Sequence, residues 1–213
     1  AAASAAVGGL RHQGAQLSAA DRAELLQTAD EALGTLSVLV RDLLDVSRLQ
    51  SGVLAVMTTA VDTADVVLAC LDELHVGPGE VELDLDQTVP EACADPVLLQ
   101  RAVVNVLSNA MRYEPDRRRV RVTTSCFANR VEIRIVDHGR GVAPERREEI
   151  FVPFQRLGDT DTTTGLGLGL ALSKGFIEGM GGTLEPESTP GGGLTMVISL
   201  HDAQSADIDD EEE

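Results

Sequence analysis

Residues 105–113 read NVLSNAMRY, with DHGRG at 137–141 and GLGLGL at 165–170. In the first stretch Asn105 and Asn109 stand four positions apart, so on a helix both amides project from one face. Val103, Val106, Leu107 and Ala110 turn the other face toward a core. Helix interiors disfavour Asn, so such a pair is either exposed and harmless or placed for a ligand. Arg112 and Tyr113 extend the same patch by a turn. The chain has one Tyr, four Phe and no Trp, which makes Tyr113 either a stacking surface or a rim-packing residue. Asp137-His138-Gly139-Arg140-Gly141 ends a strand pattern. A carboxylate followed by glycines at alternate positions lets backbone approach a flat ligand while the acid accepts a hydrogen bond, or it is a plain strand-to-turn exit. Gly165, Gly167 and Gly169 precede a helix and either free backbone N–H groups toward an anion or form a plain flexible loop, the default for a lone glycine run. Leu170 and Leu172 spoil a GxGxxG reading and no GK[ST] follows, so dinucleotide-fold and Walker readings fail.

Outward from these motifs the pattern alternates between helical and strand periods. Ala1 to His12 is alanine-rich and helix-compatible, with breaks expected at Gly8, Gly9 and Gly14. Ser18 and Asp21 form a capping box before a long amphipathic helix to Leu49. Its stripe runs through Leu25, Leu26, Ala29, Leu33, Leu36, Val40, Leu43, Leu44 and Ser47, and a stripe that long wants a partner helix. Beyond Ser51-Gly52 the spacing predicts strands at 53–59, 81–86, 120–127, 131–137, 183–187 and 194–200. Helices are predicted at 62–76, 95–113, 144–151 and 170–180, with a hairpin turn at Ala128-Asn129. Helices and strands do not strictly alternate, which disfavours a doubly wound parallel sheet.

Net charge is −18, which opposes general binding to nucleic acid or anionic membrane. Residues 201–213 hold seven acids and no base, leaving 17 basic against 28 acidic residues, or −11, in the body. Within 101–156 there are twelve Arg against seven acids, a local +5, which points to a local anion site. The three cysteines, Cys70, Cys93 and Cys126, lack CxxC or CxxH spacing and read as reduced structural thiols with no zinc site. No apolar run reaches the roughly 18 residues of a membrane span, and the first residues lack signal-peptide features.

The Asn pair, DxGxG, the segment Phe151-Val152-Pro153-Phe154-Gln155-Arg156, GLGLGL and the later Gly191-Gly192-Gly193-Leu194-Thr195 resemble, in order and interval, the N, G1, F and G2 boxes and final glycine turn of sensor histidine kinases. These belong to the gyrase, Hsp90, histidine kinase and MutL ATPase group. VRDLLDVSRLQSGVL, FQRLGD and TPGGGLTM look most like the KdpD branch of potassium and turgor sensor kinases in actinobacteria. The resemblance implies an α+β fold: a Bergerat-type two-layer α/β sandwich, a mixed sheet packed on helices, over residues 53–201. A partial helical dimerisation hairpin precedes it over 1–52, and an acidic disordered tail follows over 202–213. It also implies ATP and Mg²⁺ as cofactors, with Asn109 as the metal ligand and nucleotide contact and Asn105 and Arg156 as catalytic groups. Arg112 is then placed for phosphate and Tyr113 for stacking. Asp137 accepts from the adenine amino group, Gly139 and Gly141 give access, and Thr195 lies beneath the base. Gly165, Gly167 and Gly169 are glycines of a mobile lid over Gln155 to Leu168.

The family's phosphoacceptor box, His-Asp/Glu-Leu-Arg-x-Pro, surrounds none of His12, His75, His138 or His201. The chain therefore reads as a cytoplasmic portion of a membrane-anchored kinase that begins just after that box and does not phosphorylate itself. Expected partners are a KdpE-like response regulator and a weak homodimer, with no nucleic acid and no direct membrane contact. Alternatives are an anti-sigma-type serine kinase, disfavoured by the long stripe and the F-box-like segment, and a nucleotide-gated scaffold or phosphatase-assisting module.

Overall fold

The computed structural model describes residues 2–13, 17–77, 79–114, 119–155 and 166–205. The chain divides into two compact units, Ala1–Arg48 and Leu49–Glu213.

The first unit is built on α1 (Ala2–Gln13) and on α2 (Ala19–Gln50), a single helix that runs on into the start of the second unit. Ser18 caps α2 by the reciprocal bonds its sequence promised: Asp21 N–H donates to Ser18 Oγ at 3.1 Å and Ser18 N–H to Asp21 Oδ2 at 3.2 Å. Gly8 and Gly9 do not break α1, contrary to expectation. Gly9 is a site of close approach, where a Cβ would meet Leu25 Cδ1 of α2 at 3.4 Å. The apolar stripe of α2 also differs from the reading. Ala29 and Val46 are buried, whereas Leu26, Leu33, Leu36, Val40, Leu43 and Leu44 are all more than half exposed. Twelve residues of α1 cannot cover thirty-two of α2, because at about 1.5 Å per residue the shorter helix spans roughly 18 Å against roughly 48 Å.

In the second unit, β1 (Thr59–Val61) is followed by α3 (Thr63–Glu73), β2 (Val81–Leu85), β3 (Ala92–Ala94), α4 (Pro96–Tyr113), β4 (Val120–Phe127) and β5 (Arg130–Val136). Two 3-10 turns, Pro144–Arg146 and Glu148–Phe151, stand where one short helix was predicted. Then come α5 (Gly169–Gly179), β6 (Thr183–Ser188) and β7 (Leu194–His201). The main sheet has the order β2-β4-β5-β7-β6, with β2 parallel to β4 and every other pair antiparallel. With α3, α4 and α5 it forms the expected two-layer α+β sandwich. Ala128 and Asn129, at φ 48° and 60°, make the β4–β5 turn with both central residues left-handed, the geometry that matches strand twist.

Two strands were misread. Residues 53–58 alternate but pair with no strand among the described residues; Leu54 and Val56 instead lie on α5, near the place where a Cβ on Gly179 would sit. The strand that does pair with β1 is β3, whose three short residues carry no periodic signal.

Between the layers Leu99, Leu107, Ile133, Ile135, Leu172, Phe176 and Ile198 are fully buried, each contributing about 1.5–3 kcal/mol of burial. Asp202, where the acidic tail was expected to begin, is 7% exposed, and its N–H donates to Asn129 O at 3.0 Å. The folded unit thus continues through Ser205, and residues 206–213 lie outside the described residues.

Candidate functional site

Asp95 starts α4, accepting from the N–H groups of Val97 and Leu98 on Oδ1, with Pro96 in the first turn. Leu98, Leu99, Ala102, Val103, Val106, Leu107 and Ala110 are buried, which leaves Asn105, Asn109 and Tyr113 half-buried along one flank and Arg112 exposed. Asn105 Nδ2 donates to Gly169 O at 3.3 Å, tying the helix to the first residue of α5. Ser173 Oγ donates to the same carbonyl at 2.9 Å.

At the other end of the flank, Asp137 leaves β5 and is 4% exposed. Its Oδ1 accepts from Gly139 N–H at 2.9 Å and Leu194 N–H at 3.1 Å. Burial raises the carboxyl above its ordinary 3.8 and so do the charges of Glu114, while the two N–H donors and His138 oppose the rise. Gly139 runs against the end of α4 so closely that a Cβ would sit 2.5 Å from Tyr113 O. Arg140 places its guanidinium 5.1 Å from the Tyr113 ring centroid. Gly141 and Gly193 touch, and Gly193, at φ 114°, passes so near Asp137 that a Cβ would fall 2.0 Å from the Asp137 carbonyl.

The third piece is the glycine segment. Gly167 accepts from Phe154 N–H at 3.1 Å, and both residues are left-handed, at φ 73° and 66°. Leu168 is buried, and Gly169 sits on Asn105. Arg156 and Gly165 lie outside the described residues, as does most of the expected lid, 156–165.

The fold therefore brings Tyr113, Asp137, Gly139 and Gly141 together at one end of the α4 flank, and Asn105, Gly167 and Gly169 farther along it. It does not bring the Thr195 side chain to Asp137. Thr195 pairs with Val136 in the ladder, and since successive residues of a strand face opposite ways, its side chain lies on the sheet face away from Asp137. Its hydroxyl meets Thr189 Oγ1 at 2.9 Å in a buried pair. Its neighbour Leu194 bonds Asp137 through both its N–H and its C=O. Three residues escaped the reading: Leu194, Arg140 and Glu114, whose Oε2 accepts from His138 N–H at 2.9 Å. An acid at a helix C-terminus, against the macrodipole, was the one available hint of Glu114.

Among the described residues no three His, Cys, Asp or Glu side chains gather at a metal-holding distance. A hard ion held mostly by anion and water oxygens needs few protein ligands, and the amide of half-buried Asn109 suits such a role better than a multi-carboxylate cage.

A buried acid backed by glycines, beside a helix flank of amides, on a mixed sheet covered by helices, defines an ATPase domain of the histidine kinase and Hsp90 class. The chain belongs to the histidine kinase-, DNA gyrase B-, and HSP90-like ATPase family, whose family model matches residues 94–204. It is similar to sensor protein KdpD of Rathayibacter rathayi, 60% identical over 174 residues that make up 82% of this chain and 20% of that protein. Sensor protein KdpD of Mycobacterium tuberculosis H37Rv is 43% identical over 208 residues, 94% of this chain and 24% of that one. The chain thus spans about a fifth to a quarter of the length of these relatives. Full-length ShkA in complex with AMPPNP matches with a TM-score of 0.72 and 25% identity over 90% of this chain and 41% of that one. The mycobacterial sensor histidine kinase MprB matches with a TM-score of 0.60 and 28% identity over 68% and 98%.

Proposed function

We propose that this chain is the ATP-binding core of a two-component sensor histidine kinase of the KdpD type. In this reading it moves the γ-phosphate of Mg-ATP to a histidine and serves onward transfer to an aspartate of a KdpE-like response regulator. The observation that carries the reading is the buried Asp137 carboxyl. Its Oδ1 is spent on Gly139 and Leu194, so Oδ2 is the oxygen proposed to accept from an adenine amino group. The base then lies along Gly139 and Gly141, with Tyr113 and Arg140 at its edge. Arg112 and Arg156 supply positive charge to phosphates, Asn109 offers its amide oxygen to Mg²⁺, and Asn105 orients the reacting end. The glycines at 165, 167 and 169 leave backbone N–H groups for the phosphate chain. Bound Mg²⁺ neutralises charge on the phosphate oxygens, and the protein contributes positioning and electrostatic stabilisation.

None of the four histidines stands in a His-Asp/Glu-Leu-Arg-x-Pro box, so the chain alone is expected to stay unlabelled by γ-labelled ATP. Mixed with a partner helix carrying that box, it should form an acid-labile, base-stable phosphoryl bond. The exposed stripe of α2 supports weak pairing of two copies through a shared helical bundle. No helix among the described residues is long and apolar enough to cross a membrane, and we assign the chain to the cytoplasmic side of an anchored kinase. Calorimetry with AMPPNP and Mg²⁺ tests the core of the reading: Asn109→Ala should lose metal-dependent affinity and Asp137→Asn the preference for adenine over guanine. Equal affinity of the parent for both nucleotides would remove Asp137 from the role.

A further inference from the structure

Glu114 is the residue at which α4 ends. It leaves the helix at φ −70° and ψ 128° while its own N–H still donates to Ala110 O at 3.0 Å. Its side chain is only 7% exposed, although a carboxylate there faces the negative end of the helix dipole. One oxygen, Oε2, accepts from the backbone N–H of His138 at 2.9 Å. The other, Oε1, lies 3.4 Å from Nδ1 of the same histidine, and neither of these two atoms forms a hydrogen bond among the described residues. Among the described residues the bond to the His138 peptide is thus the hydrogen bond that holds this buried acid. It also straps the end of α4 to the Asp137-His138-Gly139 turn, whose Gly139 already abuts Tyr113 O.

We infer that Glu114 is a positioning residue for base recognition: by holding the His138 N–H it fixes the turn that presents the Asp137 carboxyl, and so sets the preference for adenine over guanine. The inference rests on the nucleotide reading given above. Asp137 Oδ1 reaches Gly139 N–H two residues on, a closed local turn. His138 is the middle residue of that turn, and without Glu114 its N–H loses its acceptor in a half-buried place. A peptide free to rotate there carries Gly139 N–H away from Asp137 and swings the carboxyl off the base edge. Packing against Tyr113 and Gly193 would still hold the glycines, so contacts that do not involve the base edge survive. Glu114 acts through Asp137 in a second way, by charge, since its carboxylate disfavours ionisation of that neighbour.

The test uses the 213-residue chain and calorimetric titration with AMPPNP and GMPPNP across pH. Glu114→Ala should lose about tenfold in AMPPNP affinity with GMPPNP nearly unchanged, the size of one charge-assisted bond. Glu114→Gln keeps an acceptor and removes the charge. It should hold the adenine-to-guanine ratio within about threefold of the parent while moving the low-pH loss of AMPPNP binding to lower pH. Equal losses for both nucleotides in Glu114→Ala, or an unchanged ratio, would overturn the inference. So would an unmoved acid limb in Glu114→Gln, a readout that stands even if the alanine variant does not fold. A parent chain that binds no AMPPNP overturns the nucleotide reading itself, and this inference with it. A parent that binds AMPPNP with a ratio indifferent to Glu114 overturns this inference alone.

Discussion

Asp137 is ionisable, nearly sealed from solvent and held by two backbone donors, and these properties pull against one another. Burial raises its carboxyl above the ordinary value, so as pH rises the unfolded chain releases this proton first. Ionisation then costs folding stability above the ordinary carboxylate range; below that range both states are protonated and the cost vanishes. Asn at this position keeps an oxygen for Gly139 and Leu194 and carries no charge. Asp137→Asn is therefore expected to melt no lower than the parent at pH 7, with any gain shrinking toward pH 4, while it loses adenine preference. Thermal melts at the two pH values check it; a fall of more than ~4 °C at pH 7, roughly 1 kcal/mol, would mean the carboxylate is a net stabiliser. Gly193 presents the opposite case, with no chemistry and no room. A Cβ there would lie 2.0 Å from the Asp137 carbonyl, on backbone at φ 114°. Gly193→Ala should cost ~2–4 kcal/mol from strain and overpacking together, read as a lower urea midpoint.

At the scale of elements, α4 and α2 carry apolar stripes of different fate. In α4 the buried stripe and the amide flank follow directly from three- and four-residue spacing, which is why Asn105, Asn109 and Tyr113 were legible as one surface. In α2 the same spacing left most of the large residues of the expected stripe outside, because spacing reports that a face is apolar and not what covers it. Leu36 is 56% and Val40 51% exposed. A double change, Leu36→Glu with Val40→Glu, is expected to leave monomer stability within about 0.5 kcal/mol and to abolish concentration-dependent association in sedimentation. Persistent association would place the contact elsewhere. The cap of α2 offers a smaller effect: Ser18→Ala removes the acceptor for Asp21 N–H and should cost that helix ~1 kcal/mol, seen as faster amide exchange in its first turn.

Across the whole molecule the three thiols report the packing of the second unit. Burial, with Glu73 nearby, pushes the Cys70 thiol to about 12, whereas Cys126 is exposed and Cys93 half-buried. A thiol reagent at pH 8 should label Cys126 first and Cys70 only on unfolding; rapid labelling of all three would show that α3 opens in the native state. By itself the sequence determined nearly every element of the ATPase domain, the Asn flank and the pairing of an acid with glycines, since each is written in short-range periodicity or in a motif with a steric reason; the α+β class followed from the family resemblance that those motifs carry. Only the tertiary structure decided which side chains share a face across strands. The β5–β7 register set Thr195 opposite Val136 and brought Leu194 to Asp137. The meeting of the α4 terminus with the Asp137 turn put the Glu114 carboxylate on the His138 N–H. Both depend on contacts between residues far apart in the chain, and no local spacing encodes those.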